Sequence, residues 1–313
     1  MTETGNYTLH REFLLLAFSR YENLQLVIFI SVLWMYLFTL CANLVIIVLV
    51  CLVPQLHTPM YFFLCNLSVQ DILCVTAILP KLLDLTITRD NRISYTGCII
   101  QMSLLLFCIT VEFLLLTTMA YDRYVAICVP MHYSQIMKRN VCVSLAAVSW
   151  YSGVSTSVMY YWLVSCLKFC NDHQINNFFC EIKAILDISC SNVNHIKVII
   201  IVLGVFFGLI TFFLILISYV NIISSVLKIN SSSGKLKVFS SCCSHITVVV
   251  IFFGTLFGLY LKPDSELNSQ EKNKLLSLLY VVVTPLLNPL VYSLRNKEIS
   301  NAIKKIIISR ILR

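Results

Sequence analysis

The chain has 313 residues, 58% hydrophobic and only 12% charged, with a mean hydropathy of +0.85 and a formal net charge of +8. A soluble domain carries about a quarter charged residues, so composition excludes an ordinary soluble enzyme. Eight Gly and seven Pro exclude collagen-like and linker-like chains as well.

A helix needs about 20 mainly apolar residues to cross the hydrocarbon core. Taken in order, seven stretches qualify: Leu24–Leu52, Met60–Pro80, Ile99–Tyr121, Val141–Val164, Val198–Leu227, Val238–Leu261 and Leu275–Ser293. None alternates with a period of two, which disfavours a transmembrane β-barrel. The first is too long for a signal-peptide core and lacks a basic lead-in or cleavage site, so it reads as a retained span. The expected fold is all-α, a seven-transmembrane helix bundle. Residues 1–23 form an extracellular N-terminal segment, 24–293 the membrane domain and 294–313 a cytoplasmic tail.

An odd number of crossings puts the termini on opposite sides. The segments on the C-terminal side hold 12 Lys or Arg against two acids, Asp122 and Glu298, whereas the other side holds 11 basic and 11 acidic residues. Lys and Arg favour the cytoplasm, and the basic tail tips the balance toward a cytoplasmic C-terminus. An outside N-terminus agrees with the sequon at Asn6-Tyr7-Thr8 in a polar, mobile segment, although Asn66 and Asn230 head the same pattern. Of 14 Cys, four lie outside or at the edge of spans: Cys98, Cys170, Cys180 and Cys190. Gathered on one face, they point to an oxidising compartment and two disulfides, with three connectivities open.

Four motifs stand at the membrane edges. Leu56-His57-Thr58-Pro59-Met60-Tyr61 opens the second span, and Met119-Ala120-Tyr121-Asp122-Arg123-Tyr124 closes the third. Lys237-Val238-Phe239-Ser240-Ser241-Cys242-Cys243-Ser244-His245 opens the sixth. Pro285-Leu286-Leu287-Asn288-Pro289-Leu290-Val291-Tyr292 closes the seventh. Together they resemble the odorant receptors, a rhodopsin-like family of G-protein-coupled receptors, in their tetrapod-type form. The resemblance covers nearly the whole chain, with departures at Ala42, Met131, Val238 and Ser241.

Arg123 cannot lose its proton and needs a counter-ion, which the adjacent Asp122 can supply at rest. The resemblance implies that Arg123, with Tyr124 beside it, later meets the G protein, while Tyr219, His245 and Tyr292 rearrange around it. Asn288-Pro289 removes a helical hydrogen bond and leaves a bendable point. Asp71 and Glu112 are the two acids within spans, each roughly 16 Å from the cytoplasmic edge, and Asn43 falls near the same depth. Two carboxylates in a low dielectric do not both ionise cheaply. They are expected to share a proton or a cation, and the resemblance implies a sodium-like or proton-linked site. A bland hydrogen-bonded pair is the alternative.

About five turns above Arg123, Leu105, Leu106, Ile109 and Thr110 are expected to line a ligand cavity in the extracellular half. Leu203, Phe206 and Phe207 face them from the fifth span, with Phe253, Leu256, Phe257 and Tyr260 from the sixth. Amine-binding rhodopsin-like receptors carry an Asp near Leu105, so no salt-bridged amine is expected. Such a lining suits a small lipophilic molecule, volatile if the resemblance holds. The resemblance also pairs Cys98 with Cys180, pinning the 165–197 loop over the cavity, and Cys170 with Cys190. From Asn296 onward, Ile299, Ile303, Ile306 and Ile307 against Lys297, Lys304 and Lys305 read as an amphipathic helix on the anionic inner leaflet. Odorant binding would activate a stimulatory G protein of the olfactory type and raise cyclic AMP.

A transporter would show repeated halves with broken helices, and a channel rings of polar residues. Neither is present. There is no phosphate loop, His-Glu metal motif or nucleophile elbow, and the tail abuts a membrane helix, so nucleic acid is not expected. No cofactor is expected beyond sodium. A receptor for a non-odorant lipid or peptide is the alternative within the same class.

Overall fold

We describe a computed structural model of the chain over residues 12–17, 23–169, 173–260 and 269–295. Seven helices in it are long and apolar enough to cross a membrane. The first four are Gln25–Leu52, Pro59–Thr88, Tyr95–Cys128 and Arg139–Ser165. The fifth, Asn194–Leu227, winds into a π-helical turn at Gly204–Ile210. The sixth is Ser232–Tyr260. The seventh runs Ser269–Leu278, a π-helical turn Leu279–Val283, then Thr284–Arg295. The upper end is taken here as the one that carries Cys98, and the lower end as the one that carries Arg123.

Every span read from hydropathy is a helix, but several run past the apolar stretch. The second continues beyond Pro80 to Thr88. Proline withholds one N–H, yet a helix can carry on through it with a local kink. Its last turns are polar, with an i,i+3 Lys81–Asp84 ion pair at 2.6 Å, and it ends where Arg89 turns left-handed at φ 58°. The third helix begins four residues earlier than Ile99, because Ser94 caps it by accepting from the Gly97 amide at 3.1 Å.

Hydrocarbon offers no hydrophobic drive between helices, so packing and interhelical hydrogen bonds hold the bundle. Large apolar side chains such as Trp34, Trp162 and Ile201 are exposed on its outer surface, where lipid would lie. Inside, Trp150 Nε1 donates to Asn66 Oδ1 at 2.8 Å, joining the fourth helix to the second and placing that Asn-Leu-Ser pattern between helices. Gln101 Nε2 donates to Ala77 O at 3.0 Å, and Asn43 Nδ2 to Pro285 O at 3.2 Å. The third and fourth helices approach closely at Gly153, where an added Cβ would stand 2.5 Å from a Val111 methyl and 2.9 Å from the Phe107 ring.

The upper end carries a small three-stranded sheet that hydropathy does not reveal, with its first strand in the middle. Strand β1, Glu12–Leu15, pairs antiparallel with β2, Arg92–Ser94, and parallel with β3, Gln174–Ile175. Part of the expected N-terminal segment is thus a strand paired with two loops. Phe13 and Leu15 are buried, and Phe13 stacks edge-on against Phe169 at 5.2 Å. Lys274 Nζ donates to Ala17 O at 3.0 Å, fastening this strand to the seventh helix. The expected amphipathic tail helix and Asn6 lie outside the described residues.

Candidate functional site

Three groups of side chains lie within the bundle. At the lower end Asp122 is buried, and Tyr133 Oη donates to its Oδ1 at 2.8 Å. Burial and the neighbouring Asp122 carboxylate both raise the Tyr133 phenol above its ordinary value, which keeps it a donor. Tyr133 was missed as a partner, although it closes the Pro130-Met131-His132-Tyr133 run that follows the third span. Arg123 is half-buried, and its charge is felt at Tyr219, His245 and Tyr292. Those four expected residues are therefore gathered at one end, with Tyr124 half-buried beside Tyr121 at a ring separation of 6.3 Å.

His245 links three helices. Its Nε2 lies 3.1 Å from Leu116 O, which can only accept, so that nitrogen carries the proton. Its Nδ1 then accepts from Tyr219 Oη at 2.7 Å, and the two rings stack at 5.7 Å. Ser244 Oγ donates to Val291 O at 3.0 Å, tying the sixth helix to the seventh. The buried Tyr292 Oη makes no hydrogen bond among the described residues.

Midway up, Asp71 and Glu112 are both buried, on the second and third helices. Asn288 Nδ2 donates to both Asp71 oxygens, at 3.0 and 3.1 Å, and its side chain also lies against Glu112. Pro289 follows it inside the helix. Gln70, unforeseen from sequence, donates from Nε2 to Glu112 Oε2 at 3.3 Å. Asn43, buried on the first helix, donates its amide to Thr39 O and to Pro285 O of the seventh. Glu112 Oε1, Asn43 Oδ1, Asn288 Oδ1 and Gln70 Oε1 are buried oxygens without hydrogen-bond partners among the described residues. Hard oxygen donors beside two carboxylates fit a small hard cation or a proton. Among the described residues no cluster of three or more His, Cys, Asp or Glu offers a transition-metal site.

At about the level of Glu112, whose neighbour in the chain is Phe113, an aromatic cluster joins the third, fifth and sixth helices. Phe113 meets Phe252 at 5.0 Å and Phe253 at 5.4 Å, and Phe212 meets Phe253 at 5.3 Å and Phe257 at 5.4 Å. Of the residues expected to line a cavity, Leu105, Thr110, Phe253 and Leu256 are buried, while Leu106, Ile109, Leu203, Phe207 and Phe257 are half-buried. Thr110 Oγ1 donates back to Leu106 O at 2.9 Å. Phe206 is a correction: it is 55% exposed on the outer surface and packs edge-on against Phe207, since neighbouring helical residues point about 100° apart and Phe207 takes the inward side. The Tyr260 side chain lies outside the described residues. Phe113, Phe212 and Phe252 were not anticipated. Ser277, buried with its hydroxyl unbonded among the described residues, is a further polar group that was missed.

Cys98 and Cys180 form a disulfide joining the third helix to the 165–197 loop. The Cys180 amide donates to Gln101 Oε1 at 3.0 Å, seating the loop on that helix. Cys190 is disulfide-bonded, while Cys170 lies outside the described residues.

A seven-helix bundle with a polar lock at one end, a buried acid pair at its middle and a disulfide-pinned loop at the other defines a rhodopsin-like membrane receptor. A sequence profile of the family described as "Olfactory receptor" matches residues 32–310. Olfactory receptor 1G1 of Gorilla gorilla gorilla is 44% identical over 305 residues, covering 97% of each chain. Olfactory receptor 1 of Rattus norvegicus is 44% identical over 310 residues, 99% of this chain and 98% of its own. Olfactory receptor 13C9 of Homo sapiens is 43% identical over 307 residues, 96% of each. The chain belongs to the olfactory receptor family. It is a multi-pass plasma-membrane receptor of a family that couples odorant ligands to G proteins, not an enzyme, and a transporter or channel is not favoured.

Proposed function

We propose that a small lipophilic, volatile molecule binds in the upper half of the bundle and drives a stimulatory G protein of the olfactory type, raising cyclic AMP. The N-terminus is extracellular and the C-terminus cytoplasmic in this reading. The observation that carries it is the vertical alignment on shared helices. Phe212 and Phe253 sit in the aromatic cluster, and Tyr219 and His245 lie on the same fifth and sixth helices below them. A ligand wedged among Leu105, Ile109, Phe253 and Phe257, with Thr110 or Ser277 as a polar anchor, shifts the sixth helix only by contacts that differ between states. That shift is transmitted to the His245–Leu116 link and frees Arg123 for the G protein. Asp71, Glu112, Asn43, Asn288 and Gln70 would hold a sodium ion or a proton, whose positive charge neutralises the acid pair and favours the resting arrangement.

The test is a panel of volatile compounds applied to cells that express the receptor with an olfactory stimulatory G protein, read as cyclic AMP. Responses to apolar volatiles that vanish in Arg123→Ala at equal surface expression support the proposal. Responses confined to peptides, or persisting in Arg123→Ala, count against it.

A further inference from the structure

We infer that the outer flank between the third, fourth and fifth helices is a binding site for a sterol in the leaflet on the Arg123 side. A cavity of about 410 Å³ opens there, lined by Thr117 and Tyr121 from the third helix, Leu145 from the fourth, and Leu214, Ser218 and Asn221 from the fifth. That volume holds one small molecule. Leu214 is 48% and Tyr121 40% exposed on the bundle's outer surface, so the cavity faces lipid rather than the interior where the odorant is placed.

Its polar groups define the occupant. Thr117 Oγ1 donates to Phe113 O at 2.7 Å, Ser218 Oγ to Leu214 O at 2.8 Å, and Asn221 Nδ2 to Ile217 O at 2.8 Å. The two hydroxyl hydrogens are spent within their own helices, while the hydroxyl and amide oxygens still have lone pairs and Asn221 Nδ2 a second N–H to offer. A polar side chain facing hydrocarbon is costly unless something bonds it. The lining contains no acidic or basic residue, so a phospholipid headgroup or a free fatty acid finds no counter-ion. What fits is a neutral molecule that brings one O–H.

Depth narrows the choice further. Asn221 lies six residues before the end of the fifth helix at Leu227, and Tyr121 seven before the end of the third at Cys128. At 1.5 Å per residue the polar edge is about 10 Å inside the helix ends, and Leu214 lies roughly another 10 Å deeper. The occupant therefore carries its hydroxyl toward the interface and rigid hydrocarbon inward. A fused-ring sterol meets this with less ordering cost than a flexible acyl chain. Ser218 precedes Tyr219, and Tyr121 precedes Asp122, so a bound sterol braces the third helix against the fifth next to the lower-end lock. The leaflet depends on the proposed orientation; the site does not depend on the odorant reading.

The test is photolabelling of the full-length receptor in cell membranes with a cholesterol bearing a diazirine and an alkyne, with adducts mapped by mass spectrometry. Adducts are expected within residues 117–121 and 214–221, suppressed by excess cholesterol. Asn221→Leu removes an acceptor and should cut labelling about fivefold, as loss of one hydrogen bond implies; Leu214→Trp, which fills the cavity, should cut it at least as much. Three outcomes overturn the proposal: adducts spread over other lipid-facing surfaces such as that of Trp34, labelling unchanged in both variants, or equal labelling at these residues by a diazirine-bearing phosphatidylcholine. Wild-type mapping is decisive by itself should a variant fail to reach the membrane, and no step requires an odorant response.

Discussion

At the lower end, side chains reach across helices one hydrogen bond at a time: Tyr133 to Asp122, Tyr219 to His245, His245 to Leu116 O, Ser244 to Val291 O. At the upper end a covalent bond from Cys98 to Cys180, backbone pairing of β1 with β2 and β3, and the Lys274 bond to Ala17 O do the holding. Single hydrogen bonds contribute about 0.5–1.5 kcal/mol each and exchange readily, whereas a disulfide does not open on a signalling timescale. One end is built to rearrange, the other to keep its shape.

The largest effect should come from the covalent end. The Cys98–Cys180 bridge closes a loop of 82 residues, for which the chain-entropy account gives about 4–5 kcal/mol. Cys98→Ser is expected to abolish surface expression or lower the melting temperature of purified receptor by many degrees. Normal expression and melting would mean that the sheet and aromatic contacts suffice. Next comes Gly153, which belongs to neither end. A side chain there meets Val111 and Phe107, and Gly153→Val should cost about 1–3 kcal/mol by overpacking. Thermal unfolding in detergent checks this, and an unchanged midpoint would show that the third and fourth helices separate freely.

The two ends also differ in how far they could be read from sequence. The lower end was legible because its residues sit in motifs at helix ends, and Arg123, Tyr219, His245 and Tyr292 are indeed gathered there. Tyr133 escaped because its partner Asp122 had already been given to Arg123. The seven helices were legible because lipid demands long apolar runs, but their ends were not, since capping residues and polar outer turns carry no hydropathy signal. Upper-end details were mostly invisible. A four-residue strand such as Glu12–Leu15 is too short for its alternation to stand out, and its partners come from distant loops. Phe206 was misplaced because it and its neighbour Phe207 point about 100° apart on a helix and do not both face inward, and Gln70 because a neutral amide does not announce a partner.

A smaller effect is expected where the lower end is loosened without being destroyed. His245→Phe keeps the ring's bulk and removes both the bond to Leu116 O and the acceptor for Tyr219. Losing two hydrogen bonds at about 1 kcal/mol each should raise ligand-independent cyclic AMP on the order of tenfold at equal surface level. Unchanged basal output would assign the resting lock to Asp122 and Tyr133 instead.

The smallest effect should be a pH dependence confined to the upper end. Glu181, next to Cys180 in the disulfide-pinned loop, accepts from Asn177 Nδ2 at 2.9 Å, and Asn177 O accepts from the Ala17 amide at 3.1 Å. Burial raises the Glu181 carboxyl above its ordinary value and the nearby Asp187 adds to this, while the Asn177 bond and Lys183 oppose it. Because the folded loop holds the proton more tightly than an unfolded one, its contribution is full at pH below the ordinary carboxylate range. It is lost as pH rises through the raised value. Protease resistance of the loop, or thermal stability measured from mildly acidic to neutral pH, should therefore fall slightly as pH increases. Glu181→Gln should remove that slope while leaving basal cyclic AMP unaltered, since none of the lower-end bonds involves this loop. A slope of the opposite sign would mean that Lys183 and the Asn177 bond outweigh burial, and that the loop is seated by its charge rather than in spite of it.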